Sequence, residues 1–411
     1  MPRALFVCYG GGHAKMVIPV VRVLTHEPAW EAAVLGLTIA GPQIRDAGIA
    51  AHGYRDLVQP GDDEALAQGR RILGDSHDPK TGIAIEESVA YLGLSYQDLV
   101  ERMGADQAAE RYREHGRHAF LQLGPLRRAL ERWHPDVVVT TNSPKSERAA
   151  LVVAREAGVP TVAMEDLLGI RQALIRDFVP PFRADRLCVG STIAVENLEH
   201  DEGAPRDACR LTGNPQFDRL ADVAGHRAEA RTRLGIRDRD RFAVLYTQTG
   251  PDLERVAAVL AGLAGLPDLR IMVRRHPNHR AAPAQAVRAA LPRGVDLADD
   301  ADLDDLLSAA DVALSVSSTV AVEAVLVGNL VVQLGPSLAL TQPAQEHLED
   351  LPLYRYGVTV LADDPATLKE IVAGRDGASE AARARARDMF VRPGSAAQAV
   401  AAQIREVAPS V

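Results

Sequence analysis

Short apolar runs alternate with longer amphipathic ones along this chain, in two separate series. In the first, "ALFVC" (4–8), "AVLGLTI" (33–39), "DVVVTT" (136–141) and "PTVAME" (160–165) are almost continuously apolar, the pattern of strands covered on both faces. Stretches 15–25, 105–133 and 144–157 have helical spacing between them. The second series has "FAVLYT" (242–247), "LRIMVRR" (269–275), "VALSV" (312–316) and "LVVQL" (330–334) as strands, with helices at 251–264, 281–291, 302–309 and 319–327. A parallel strand pair needs a long crossover, and the crossover helix covers the sheet. Two such series predict two doubly wound α/β domains.

Gly and Pro break the periodicity in "TGNPQFDRL" (212–220), which places the join there. The expected domains are 1–216 and 217–384, with 385–411 packing back on the first. The polar helical segment 60–120, with its "DSHDPKTG" loop, reads as an inserted lid or substrate-facing element.

The chain has 411 residues, 47% of them hydrophobic and 25% charged, enough for sizeable cores. Net charge is −9 with both signs mixed, so no nucleic-acid partner is expected. Cys8, Cys188 and Cys209 form no disulfide framework and no Cys-x-x-Cys pair, which fits a reducing compartment. The N-terminus lacks a signal peptide's apolar core, and no apolar run approaches the ~20 residues that span a bilayer. A cytoplasmic protein is expected, with peripheral membrane contact and a homodimer both left open.

Open parallel sheets bind ligands beyond the carboxyl ends of their strands. Four stretches stand there. In "SVSSTVAVEAVLVGN" (315–329), Ser317, Ser318 and Thr319 follow a strand and open a helix, whose free N–H groups suit a phosphate. Glu323 lies four residues after Thr319 on the same helix face, where it can accept from a ribose diol or pair with a cation. In "RIMVRRHPNHR" (270–280), Arg274, Arg275 and His276 end a strand and can grip a phosphate. In "CYGGGHAKMVIPVV" (8–21), Gly11 and Gly12 let backbone approach a ligand, and His13 and Lys15 stand at a helix start. That stretch fits neither the dinucleotide fingerprint nor a Walker A loop. In "PTVAMEDLLG" (160–169), Glu165 and Asp166 offer a base. No His or Cys clusters with the other acidic pairs, so no metal site is expected.

Taken in order, these motifs resemble the GT-B superfamily of two Rossmann-like domains facing a cleft, and within it the non-hydrolysing UDP-N-acetylglucosamine 2-epimerases. "HAKMVIPVVRVL" is similar to that family's first helix, "PDVVVTTN" to its aspartate-bearing strand and "VPTVAMEDLLG" to the strand ending in a catalytic glutamate, here Glu165. "ACRLTGNPQFDRL", "VRRHPN" and "SSTVAVEA" resemble its Thr-Gly-Asn, His-Pro-Asn and nucleotide-binding segments, with Glu323 as the ribose ligand. The departures are local. Asn142 stands at the family's first aspartate, "QTG" with Gln248 replaces its histidine, and "VPPFRAD" lacks its glutamate. An amide cannot transfer a carboxylate's proton.

The same pieces resemble GT-B glycosyltransferases of the sialyl and capsule type and lipid-linked cell-wall transferases. That resemblance implies a metal-independent bacterial enzyme of cell-surface or secondary-metabolite glycan synthesis. It would need no cofactor, take a UDP- or CMP/CDP-linked sugar and glycosylate a carbohydrate or lipid-linked hydroxyl. His13, Glu165 and Asp166 would act on protons. Gly11, Gly12, Lys15, Asn142, Gln248, Arg274, Arg275, His276, Ser317, Ser318, Thr319 and Glu323 would bind the substrates. The alternatives are a 2-epimerase and a nucleotide-sugar binder without catalysis.

Overall fold

A computed structural model describes the chain except residues 27–29, 170–179, 248–252, 277–281, 317, 339–351 and 409–411. The chain forms two compact units, Met1–Asp218 with Ser395–Val411, and Arg219–Gly394.

The first unit holds β1 (Arg3–Tyr9), β2 (Glu31–Leu37), β3 (Val137–Thr140), β4 (Thr161–Met164), β5 (Arg186–Val189) and β6 (Cys209–Leu211). They form one sheet in the order β2-β1-β3-β4-β5-β6, with every pairing parallel. β5 and β6 escape the sequence reading because "RLCV" and "CRL" are short and carry arginines. On one face, α1 (Gly11–Thr25) buries Ala14, Met16, Val17, Val20, Val21 and Leu24.

The opposite face is covered by α2 (Asp63–Leu73), α3 (Ile85–Met103), α4 (Leu123–Trp133) and α5 (Ser146–Glu156). Segment 60–120 is therefore not a lid. α3 buries Val89, Tyr91, Leu92 and Leu99 in the same cluster as Leu5, Val7, Leu35 and Val138 of the sheet. α2 and α3 touch backbone to backbone: a Cβ on Gly69 would meet Val89 O at 2.2 Å, and one on Gly93 would meet Ala65 O at 2.2 Å. The helix expected over 105–133 is broken in two. Gly116, with φ 53°, ends its first half, and buried Phe120 and Leu121 run extended before α4.

The second unit holds β7 (Arg241–Tyr246), β8 (Leu269–Arg274), β9 (Val295–Leu297), β10 (Val312–Ser315), β11 (Leu330–Leu334) and β12 (Val360–Ala362). Its sheet is parallel, in the order β12-β11-β10-β7-β8-β9. The chain starts centrally at β7, winds out to β9, then restarts beside β7 at β10. That is the dinucleotide-binding order, with its crevice where the winding reverses, between β7 and β10. In the first sheet the reversal lies between β1 and β3.

α6 (Thr319–Leu326) follows β10, and α7 (Ser379–Met389) packs against α6 and β11, burying Ala382 and Ala386. The chain therefore rejoins the first unit later than residue 385. Its last helix, α8 (Ala396–Val407), places Ala397, Val400 and Ile404 in the cluster beneath α1. Asp218 fixes this return: Ala396 and Ala397 N–H donate to its two carboxylate oxygens at 2.9 Å each, capping α8.

Candidate active site

In the first unit the reversal point gathers residues that follow β1, β3 and β4. His13 Nδ1 stands 2.8 Å from Thr141 Oγ1 and 3.2 Å from Glu147 Oε1, and its Nε2 lies 3.6 Å from Asp166 Oδ2. Asn142 Nδ2 donates to Asp166 Oδ1 at 2.7 Å and to Glu165 Oε1 at 3.4 Å. Glu165 is 3% exposed; its Oε1 also accepts from Leu167 N–H at 3.0 Å and Gly169 N–H at 2.7 Å. Its Oε2 has no described hydrogen-bond partner. Asn214 and Gln216, in the segment resembling Thr-Gly-Asn, donate to the Asp166 carbonyl and hold the turn after β4.

The electrostatics divide the roles. Burial disfavours the His13 cation, but the Asp166 and Glu147 carboxyl groups outweigh it and push its pKa up to about 10. That shift favours the protonated imidazole near neutrality, which can donate a hydrogen bond and carry positive charge. Burial, then the neighbouring Asp166 charge, pushes the Glu165 carboxyl up to about 8. Burial alone would raise Asp166, yet hydrogen bonds from His13 and Asn142 hold it below the ordinary carboxylate range. One dyad thus combines an ionised carboxylate with one that carries its proton near neutrality.

Glu147 was missed from the sequence, where it reads as an ordinary first-turn acid of α5. It is fully buried and accepts from Tyr9 N–H at 2.9 Å and from the Thr141 hydroxyl. The signal lies in its spacing: Ala150, Leu151 and Ala154 share its buried helix face.

A Cβ on Gly11 would lie 2.6 Å from Nε2 at the end of the flexible Gln43 side chain, and one on Gly12 would meet nothing within 4 Å. Lys15 is exposed. The segment 180–185 of "VPPFRAD" is held by a buried pair: Arg148 Nη2 donates to Glu202 Oε1 at 2.9 Å, and Phe182 N–H donates to Glu202 Oε2 at 2.8 Å.

In the second unit Ser318 caps α6, its Oγ accepting from Val320 N–H at 3.3 Å, and Thr319 is exposed at the helix tip. Glu323 is buried and forms an ion pair with Arg219, which also reaches Asp304. The sequence had left a cation as one partner for this carboxylate, and here Arg219 is that cation. Arg274 donates to the carbonyls of Ala298 and Ala301. The Tyr246 hydroxyl is buried without a described hydrogen-bond partner, within the fields of Arg274 and Glu323. His276 N–H donates to Thr247 Oγ1 at 3.2 Å, tying the ends of β7 and β8 together.

Arg275 departs from its expected role as a phosphate ligand. It is buried, donates to Asp299 Oδ2 through Nε at 2.7 Å and Nη2 at 2.5 Å, and donates to Ala282 O at 2.7 Å. The reason is local: Arg275 follows the last residue of β8, and its own N–H also donates to Asp299 Oδ1 at 3.1 Å, so backbone and side chain are held by one buried carboxylate. Gln248 and Ser317 lie outside the described residues.

Two parallel six-stranded sheets wound in this way define the GT-B fold, which this chain has. It is similar to the UDP-GlcNAc 2-epimerase from Neisseria meningitidis bound to UDP-GlcNAc, at 15% identity and TM-score 0.58, over 98% of this chain and 100% of that one. MurG from Acinetobacter baumannii matches at 13% identity and TM-score 0.56, over 99% and 100%. The glycosyltransferase of kitacinnamycin matches at 14% and 0.54, over all of both chains. No protein-family model matches the chain, and no curated protein matches it. At these identities the likeness concerns the fold.

Proposed function

We propose that this chain is a nucleotide-sugar-dependent glycosyltransferase. The observation that carries the reading is Asn142 at the end of β3, hydrogen-bonded to Asp166 and Glu165. It leaves the cluster the Glu165–Asp166 dyad, one fixed cation in His13, and the buried Glu147 carboxylate, which is held by Tyr9 N–H and the Thr141 hydroxyl on the far side of that cation. Transfer needs no more on the first unit. The acceptor O–H gives its proton to the Glu165–Asp166 dyad as its oxygen bonds to the sugar's anomeric carbon. The bond from that carbon to the phosphate oxygen breaks, and the electron pair leaves with the nucleotide. The Ser318–Thr319 tip of α6, Arg274 and His276 are the second unit's donors for that phosphate, and Glu323 takes the ribose after exchanging Arg219 for it. UDP is the first nucleotide to test, since the Neisseria protein was seen with UDP-GlcNAc.

A second reading, 2-epimerisation, draws on Glu165 itself. A buried carboxyl titrating near 8 is basic for its kind, which suits removing a proton from carbon. Asn142 opposes it, because reversible elimination uses a further acid or base where this chain has an amide.

Calorimetric titration with UDP, CDP, CMP, GDP and TDP tests the nucleotide half. One of them is expected to bind, about tenfold or more weaker in Glu323→Ala. Binding by none, or equal affinity in the variant, would remove the second-unit site.

A further inference from the structure

The first unit also has a groove beside the acid–base cluster. Thr38, Ile83, Glu87, Tyr91, Leu92 and Arg117 line it, and it holds roughly 340 Å³ counting its open mouth. Tyr91 is 5% exposed, and its hydroxyl has no described hydrogen-bond partner. Its ring centre lies 6.3 Å from that of Tyr9, and Lys145 Nζ lies 5.3 Å from the centre of the Tyr9 ring. No carboxylate pairs with Lys145 among the described residues. Burial, then the charge of Arg117, depresses its ammonium.

A half-buried ammonium in the field of a second cation, with an aromatic face as its partner among the described residues, is costly unless an anion joins it. Glu87 is not that anion. Its two oxygens accept from Tyr54 N–H at 2.8 Å and Arg55 N–H at 3.1 Å. Tyr9 connects this corner to the reactive cluster, since its N–H donates to the Glu147 carboxyl that also faces His13.

We propose that the groove receives the acceptor and that Lys145 and Arg117 bind an oxyanion on it, with the Tyr91 hydroxyl as a further donor. The acceptor class is therefore an acidic sugar or a sugar phosphate. This inference rests on the transferase reading and narrows it.

The test uses glucose 6-phosphate and glucuronate, with glucose as neutral control, in saturation-transfer-difference NMR on the full chain. At least one charged sugar is expected to give a signal where glucose gives none. Glucose 6-phosphate alone would mark phosphate recognition, and glucuronate alone carboxylate recognition. Lys145→Met and Arg117→Ala should each weaken binding about tenfold to a hundredfold, while Lys145→Arg retains it. Arg117 is exposed, so its variant keeps the test open even if Lys145→Met misfolds. UDP affinity should be unchanged in all three. No charged-sugar signal, an equal signal from glucose, or unchanged binding in both truncations would overturn the proposal. So would loss of the sugar signal in Glu323→Ala instead, which would put the anion in the nucleotide site. Sugar-phosphate binding without any nucleotide binding would keep the groove and remove the transferase.

Discussion

His13 Nε2 lies 3.6 Å from Asp166 Oδ2, and Asn142 holds the other oxygen of the same carboxylate at 2.7 Å. A histidine after β1 and an aspartate after β4 thus form one ion pair across the reversal point of the sheet. The imidazole pKa is raised from 6.5 to about 10, so its stabilisation is complete below about 6.5 and is lost as pH rises through 10. His13→Gln should therefore cost stability near neutrality and cost progressively less toward pH 10. Thermal unfolding across that range checks this, and ¹⁵N NMR should show the ring doubly protonated at pH 8.

Glu165 behaves in the opposite sense for catalysis. Its carboxyl is raised from 4.5 to about 8, so the native state holds a proton that the unfolded chain has lost between those values. Stability should fall as pH rises through that window, and Glu165→Gln should flatten the fall. Activity should instead rise as pH approaches 8, because the ionised dyad is the base. Turnover should drop about a hundredfold or more in Glu165→Gln. A pH–rate profile flat from 6 to 9 would rule Glu165 out.

Arg219 and Glu323 should respond in opposite directions to truncation. Nucleotide binding at Glu323 requires Arg219 to give up its place, so Arg219→Ala should bind nucleotide as well as wild type or better. Arg219 is two-fifths exposed but its partner carboxylate is buried, so without nucleotide the variant should lose some stability, and bound nucleotide should restore it. A large affinity loss in Arg219→Ala would make the arginine itself a ligand contact.

Arg275 should matter for folding alone. Its pair with Asp299 is 4% exposed on each side, so Arg275→Ala strips a buried carboxylate of its guanidinium. The expected cost is about 3–5 kcal/mol in denaturant unfolding, with nucleotide affinity of the folded fraction unchanged. Arg274→Ala should show the reverse pattern.

The strands that decide the fold were legible because burial on both faces leaves continuous runs such as "VVVT" and "VALS". Residues at their carboxyl ends could then be named from position alone. β5, β6, β9 and β12 were not legible: the first three are three or four residues long with a charged member, β12 is only three residues, and pairing to a neighbour holds them rather than their own pattern. Pairwise geometry was invisible too. Nothing in "TTNSPKSE" says that Glu147 turns inward toward His13 while Lys145 settles on Tyr9, because both depend on where β1 lies beside β3. The Arg219 partner of Glu323 lies 104 residues away, beyond any local spacing rule.

The most direct test of glycosyl transfer is proton NMR in deuterated water, following UDP-N-acetylglucosamine and other UDP-sugars with the wild-type chain and a mixture of sugar phosphates and sugar acids. Transfer predicts that UDP is released only when acceptor is present, that a new anomeric proton appears on the acceptor, and that carbon 2 of the donor keeps its proton. Release should vanish in Glu165→Gln. Deuterium entering carbon 2, or the manno epimer accumulating without any acceptor, would contradict the transferase and make the chain an epimerase.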